Sequence, residues 1–261
     1  MIRVGASGFG YRDWEGPFYP VGLPEGDRLS YYAQEFDTVE INYSYYRVPT
    51  AATLAALSSK TPPGFLFAIK ANRGMTHERE DSAAVTARFC EALHPWVEQG
   101  CLGCVLAQFP SRFQCTPQNV DALRALRDQL GDLPTVIEFR HVTWVSGRIF
   151  GLLRDLGLGI CCVDQPRLPT LLPAFAVATS DIAYVRLHGR NAAKWWDHTE
   201  AWERYDYRYS REELEPWAAK VQELAANARL TLVYANNHWL GQAIDTARQL
   251  KLLLAPGGLQ A

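Results

Sequence analysis

Short apolar runs recur along the chain at fairly regular spacing. They are "IRVGAS" (Ile2–Ser7), "TVEIN" (Thr38–Asn42), "LFAIKAN" (Leu66–Asn72), "LGCVLAQ" (Leu102–Gln108), "TVIEFR" (Thr135–Arg140), "GICCVD" (Gly159–Asp164), "AYVRLHG" (Ala183–Gly189) and "TLVYANN" (Thr231–Asn237). Their length and their β-branched residues fit strands. Amphipathic stretches with helix signals separate most of them. Thr116 precedes Pro117 as an N-cap before the first helical position, and "SREE" places Ser210 and Glu213 at capping-box spacing. Thr50 stands before "AATLAALSSK" in the same way, and Gly100, Gly131 and Gly157 fall where helices should stop. Eight strand–helix repeats in 261 residues predict an α/β fold, a single (β/α)8 barrel spanning 1–261. The sixth crossover, "QPRLPTLLPAFAVATSD", carries three prolines and is expected to be irregular. A doubly wound open sheet is the competing architecture, but "GASGFG" lacks dinucleotide-binding spacing.

Polarity within the strands keeps a period of two, so each strand divides into two faces. Val39, Ile41, Phe67, Ile69, Ile137, Phe139, Val185 and Leu187 form an apolar set expected against the outer helices. The alternate set is expected to point inward: Gly5, Ser7, Glu40, Asn42, Lys70, Asn72, Gln108, Glu138, Arg140, Asp164, Arg186, His188 and Asn236. Most barrels fill this space with branched apolar side chains. Isolated buried charges are very costly, so charges here must pair. Glu40 is expected to pair with Lys70 on the next strand as a structural network, and Glu138 with Arg186 across the lumen. These residues lie toward the strand C-terminal ends, where barrel enzymes keep their chemistry.

Composition narrows the partners. Net charge is -2 with a pI of about 6.3, so no global field draws nucleic acid or an anionic membrane. No segment approaches the ~20 apolar residues of a membrane span. "MIRVGASGFGYRDW" has no apolar run like a signal peptide, and the six scattered cysteines read as reduced thiols, so a cytoplasmic protein is expected. "CLGC" is a lone C-x-x-C, and Cys104 within it is expected in the core.

Glu138, Asp164 and His188 end strands five, six and seven, and are the catalytic candidates. His188 is the natural general acid or base, because its ordinary pKa is near neutrality. Arg140 and Arg186 suit a planar carboxylate or phosphate. Asn42, Lys70, Asn72, Gln108, Asn236 and Asn237 add donors and acceptors fitted to a polyhydroxylated or phosphorylated substrate. Strands four and seven end in Gln108 and His188, not in the carboxylates of a barrel glycosidase. Glu40, Glu138, His141, Asp164 and His188 are possible metal ligands, but no H-x-H or H-E-x-x-H spacing appears and cations crowd the set. Neither a metal nor a cofactor is expected.

The segment Gly189 to Ser210, "GRNAAKWWDHTEAWERYDYRYS", is too long and too aromatic for a plain connection. Trp195, Trp196, Trp202, Tyr205, Tyr207 and Tyr209 either plug the barrel or stack on a ligand, with Arg190, Lys194 and Arg208 interleaved. A plug lined by one or two site residues is the reading preferred. Phosphate commonly binds barrels after strands seven and eight, where Gly189, Arg190 and the turn from Asn236 to Gly241 lie. Tyr11, Trp14, Tyr46 and Trp144 complete an aromatic rim over a polar floor.

The motifs at the strand ends resemble those of the YecE-like family, domain of unknown function seventy-two. "GASGFGYRDWEGPFYP", "VEINYSYYRVP", "FAIKANRGMTH", "LAQFPSRF", "IEFRHVTW", "AYVRLHGR", "YDYRYSREELEPW" and "NNHWLGQA" follow in that family's order through nearly the whole chain. The resemblance implies a TIM-type barrel and leaves the reaction open. The expected function is acid/base chemistry on a small phosphorylated or polyhydroxylated substrate, such as a nucleotide, at the C-terminal face. The alternatives are a nucleic-acid-binding or phosphodiesterase-like protein related to barrel repair nucleases, and a non-catalytic ligand-binding barrel.

Overall fold

A computed structural model of the chain describes residues 1–257. Eight parallel strands form the sheet: β1 (Ile2–Ala6), β2 (Thr38–Ile41), β3 (Leu66–Lys70), β4 (Leu102–Gln108), β5 (Thr135–Glu138), β6 (Gly159–Asp164), β7 (Ile182–Leu187) and β8 (Leu230–Ala235). Their order is β1-β8-β7-β6-β5-β4-β3-β2. A single parallel bridge from Ser7 to Glu40 brings β1 beside β2, so the sheet is a nearly closed barrel. The helices are α1 (Arg28–Tyr32), α2 (Ala51–Ser58), α3 (Ser82–Glu98), α4 (Pro117–Leu130), α5 (Gly147–Asp155), α6 (Arg211–Ala226) and α7 (Gln242–Leu254). This is the (β/α)8 architecture that the alternation predicts.

The caps form where the sequence places them. Thr50 and Thr116 accept from the backbone N–H three residues on, and Ser210 and Glu213 form a reciprocal capping box. The irregular sixth crossover is also as expected: no helix lies between β6 and β7 among the described residues. Pro166, Pro169 and Pro173 deny that stretch a helical hydrogen-bond ladder. It is pinned instead by buried Leu171 and Leu172 and by the Thr179 hydroxyl, which donates to the Leu158 carbonyl at 2.7 Å.

The seam between β1 and β2 is too narrow for a side chain. A Cβ on Gly5 would sit 2.2 Å from the Thr38 carbonyl oxygen. The Tyr32 hydroxyl joins the two strands there, accepting from Ala6 N at 2.8 Å and donating to Thr38 O at 3.0 Å. It substitutes for ladder bonds that the two strands do not make with each other.

Residues paired in a parallel register point to the same face, which fixes the interior. Val163 pairs with Arg186, and Arg186 with Tyr234. Gln108 pairs with Glu138, and Lys70 with Leu106. Outside the strands, flat aromatic pairs fill the layer under the helices, such as Phe67 on Trp96 at 4.3 Å and Phe139 on Trp144 at 4.3 Å. No helix among the described residues is long and apolar enough to cross a membrane. All six cysteines are free, and Cys104 is buried as expected.

Candidate active site

Four charged side chains cross the lumen below the strand ends. The two terminal nitrogens of Arg186 each take a different carboxylate: Glu138 at 2.6 Å and Glu40 at 2.7 Å. Tyr184 donates its hydroxyl to the second Glu40 oxygen at 2.6 Å. The second Glu138 oxygen meets Arg140 Nε at 2.7 Å and His188 Nε2 at 3.1 Å. Both glutamates are 0% exposed. Burial opposes the ionisation of Glu138, but Arg140 and Arg186 outweigh it and hold the carboxyl well below its usual range. Burial likewise opposes the Arg186 charge, and Glu138 and Glu40 hold it firmly protonated.

His188 is sealed at the centre of this set. Burial first, and the Arg140 charge next, push its pKa down to about 3, so the ring is neutral. Nδ1 accepts from the Asn236 amide at 2.9 Å, which leaves Nε2 to carry the hydrogen and donate to Glu138. The pairing of Glu138 with Arg186 is as expected from the sequence. The pairing of Glu40 is not: its partners are Arg186 and Tyr184, and no ion pair joins it to Lys70. Across a narrow barrel the opposite strand offers a guanidinium that bridges two carboxylates, and a phenol.

Above this floor the mouth is open on one side, over β2 to β5. Lys70, the last residue of β3, is partly exposed and its Nζ lies 4.5 Å over the Tyr45 ring. His77 packs edge-on against the same ring at 5.0 Å. Arg112 donates to the His77 carbonyl at 2.9 Å, and half-buried Arg140, Asn42 and Gln108 line the same side. The Asn42 side-chain oxygen is buried without a hydrogen-bond partner. Burial first, and the Arg186 charge next, lower the Lys70 pKa to about 7. Burial first, with the Lys70 charge next, lowers His77 to about 4.

Local backbone geometry sets these groups. Gly74–Glu78 forms a π-helical turn, and Arg79 leaves it at φ 62°, in the left-handed region. Such turns and such backbone recur at functional sites. Asn72 ties this turn to the loop after β2. Its amide donates to the Ser44 and Tyr45 carbonyls at 2.9 and 3.2 Å, and its oxygen accepts from Gly74 N at 3.0 Å. Asn72 therefore positions Tyr45 and His77 and is only 8% exposed. The Ser44 hydroxyl fastens the same loop to Lys70 O at 2.6 Å. Tyr45, His77 and Arg112 escape the periodicity argument because none lies on a strand. All three fall inside motifs that carry the family resemblance, "VEINYSYYRVP", "FAIKANRGMTH" and "LAQFPSRF".

Over β6, β7, β8 and β1 the mouth is closed. Asp164 does not join Glu138 and His188. It pairs in register with Leu187, so it faces outward, toward α6. There it accepts from Trp217 Nε1 at 2.8 Å, from the Tyr209 hydroxyl, and from Arg190 at 2.8 and 3.0 Å. Arg190 also pairs with Glu213 at 3.0 Å, so its guanidinium serves two carboxylates and is not open to a phosphate. Asn237 lies outward too, with its amide on Tyr207 O and the Thr246 hydroxyl. Trp14 is 0% exposed, and its indole nitrogen donates to His238 O at 2.7 Å. Tyr11 donates to Ser7 O at 2.7 Å and stacks flat on His238 at 4.3 Å. The segment after β7 folds down here: Trp195 is 1% exposed, Tyr205 packs on His238 at 5.3 Å, and Trp202 stacks on Trp239 at 3.7 Å. Trp196 alone of its tryptophans stays largely in solvent, 54% exposed.

Fold and site together define a TIM-type barrel whose lumen holds a paired charge network and whose mouth opens on one side. The chain belongs to the family described as "Protein of unknown function DUF72", whose model matches residues 3–260. It is 32% identical to UPF0759 protein YunF of Bacillus subtilis (strain 168), over 97% of this chain and 95% of that protein. Among solved structures it is similar to DUF72 family protein TM1631 of Thermotoga maritima MSB8. There the TM-score is 0.91 and the identity 37%, covering 98% of this chain and 100% of the other. It is also similar to DUF72 family protein EF0366 of Enterococcus faecalis V583, with a TM-score of 0.87, 26% identity, and coverage of 98% and 96%.

Proposed function

We propose that the protein is an enzyme whose substrate is a small phosphorylated or polyhydroxylated molecule, held over the C-terminal ends of β2 to β5. The observation that carries this reading is the charge balance at the strand ends. Two glutamates and two arginines neutralise one another in the floor, and Lys70 stands above them with no carboxylate in ion-pair range among the described residues. The open side is therefore partly desolvated and cationic, through Arg112 and the protonated share of Lys70, with uncharged donors and acceptors from Asn42 and Gln108 beside them. That chemistry favours an anion carrying hydroxyl groups.

Acid/base work falls to the mouth and not to the sealed floor. Glu138 and His188 have no nitrogen or oxygen left for a substrate, so they position Arg140 and Arg186. Lys70 exchanges its proton near neutral pH, as an efficient general acid or base must. Neutral His77 beside it can accept a proton.

Inorganic phosphate is the minimal probe, followed by NMR of the histidine rings. The His77 resonances should shift saturably, while those of His198, in the segment after β7, stay put. Equal or absent shifts at the two would overturn the reading.

A further inference from the structure

We infer that the Lys70 amine captures its substrate covalently, as an imine with an aldehyde or ketone that also carries a phosphate or carboxylate. This rests on the anion-binding reading of the mouth and adds a covalent step to it.

The geometry singles out this lysine. It is one of five in the chain, and the other four are occupied elsewhere. Lys60 donates to Gly26 O, Lys194 pairs with Glu203, Lys220 lies over Trp217, and Lys251 donates to Glu35 O. Lys70 alone points into the barrel, in register with Leu106, at the end of a strand where substrate would sit. Its main chain is held by the Ser44 hydroxyl, and its Nζ lies over the Tyr45 ring. The charged groups acting on it are Glu40 from β2, Glu138 and Arg140 from β5 and its end, and Arg186 from β7. Both glutamates are already spent on Arg186, Arg140, Tyr184 and His188. An ammonium here gains no ion pair, while burial and the two guanidiniums disfavour it. About half of the amine is thus unprotonated near pH 7, and more of it above, the state in which a lysine is a nucleophile.

The step balances without a further reagent. The nitrogen lone pair forms a bond to the carbonyl carbon, and the carbon–oxygen π pair moves onto oxygen. One proton passes from nitrogen to that oxygen, giving a carbinolamine. A second proton, taken up from solvent, reaches the hydroxyl, the carbon–oxygen bond breaks, water leaves, and a protonated imine remains. Neutral His77, packed on the ring that also carries Lys70, is placed to relay the proton. Arg112 and Arg140 are placed to meet the phosphate or carboxylate.

Pyridoxal 5′-phosphate contains both an aldehyde and a phosphate and serves as the probe. The folded protein is incubated with it at about pH 7.5, reduced with borohydride and mapped by peptide mass spectrometry. Lys70 should be labelled at least about tenfold faster than the mean of the other four lysines, because a far larger share of it is unprotonated. Excess inorganic phosphate should slow that labelling selectively. Lys70 labelled no faster than the others would overturn the inference. The comparison lies within the wild-type chain, so it does not depend on a variant folding. Lys70→Met, checked by circular dichroism, should lose this label and keep the rest. If phosphate shifts His77 but Lys70 does not label, the anion site stands and the imine falls. If neither occurs, both fall.

Discussion

Glu40 and Glu138 survive inside a nearly closed barrel because each of their four carboxylate oxygens meets at least one donor. The period of two was enough to turn both side chains inward, together with Arg186 and His188. It could not choose partners, since the distance across the lumen depends on closure and not on neighbouring residues. It also misplaced Asp164. "GICCVD" is apolar on both faces, so its phase is unreadable until β6 pairs with β7. His188 gives a sharp test. Its folded pKa, about 3, lies below the ordinary 6.5, so unfolding takes up a proton between those values. Stability is then fully present above pH 6.5 and falls as pH drops toward 3. His77 and His238, each lowered to about 4, act with the same sign. Glu138 is also lowered, but it adds only below its ordinary 4.5. Urea midpoints should therefore decline on acidification from pH 6.5 to 5. His188→Gln should flatten that slope by up to about 1.4 kcal/mol per pH unit, the limit for one proton. A wild-type midpoint flat across that range would contradict the assignment of a buried neutral ring.

At the scale of elements, strands and caps were legible because both rest on local chemistry: alternation, N-cap hydroxyls and proline positions. The π-helical turn at Gly74–Glu78 was not, since no short-range pattern in "GMTHE" marks an i→i+5 bond. With it went His77 and, through Asn72, the placement of Tyr45. The barrel seam was equally hidden. Tyr32 lies on α1, yet its hydroxyl completes the contact between β1 and β2. Tyr32→Phe removes that oxygen and leaves Ala6 N and Thr38 O buried without their bridge. The expected cost is about 2 kcal/mol, within the usual penalty for unsatisfied buried groups. Chemical denaturation reads the cost, and faster amide exchange at Ala6 locates it. An unchanged midpoint with unchanged Ala6 exchange would mean that the seam holds without the tyrosine.

The whole molecule is a barrel closed over one half of its mouth and open over the other. The sequence foretold the barrel, the polar floor and an aromatic segment after β7 that packs down through part of its rings, with Trp195 and Tyr209 buried. It did not reveal which half stays open, because that depends on where residues 189–210 come to rest. Their anchor is Asp164, which binds Arg190 and Tyr209 from the segment and Trp217 from α6. With that half filled, the proposed chemistry falls to the open side and to Lys70. One titration tests this most directly: NMR of all five lysine side chains, ¹³Cε and ¹⁵Nζ, followed from pH 5 to 11 in the intact protein. The account predicts that Lys70 loses its proton near 7, well before Lys60, Lys194, Lys220 and Lys251. Lys70 titrating together with those four, near the ordinary 10.5, would contradict it.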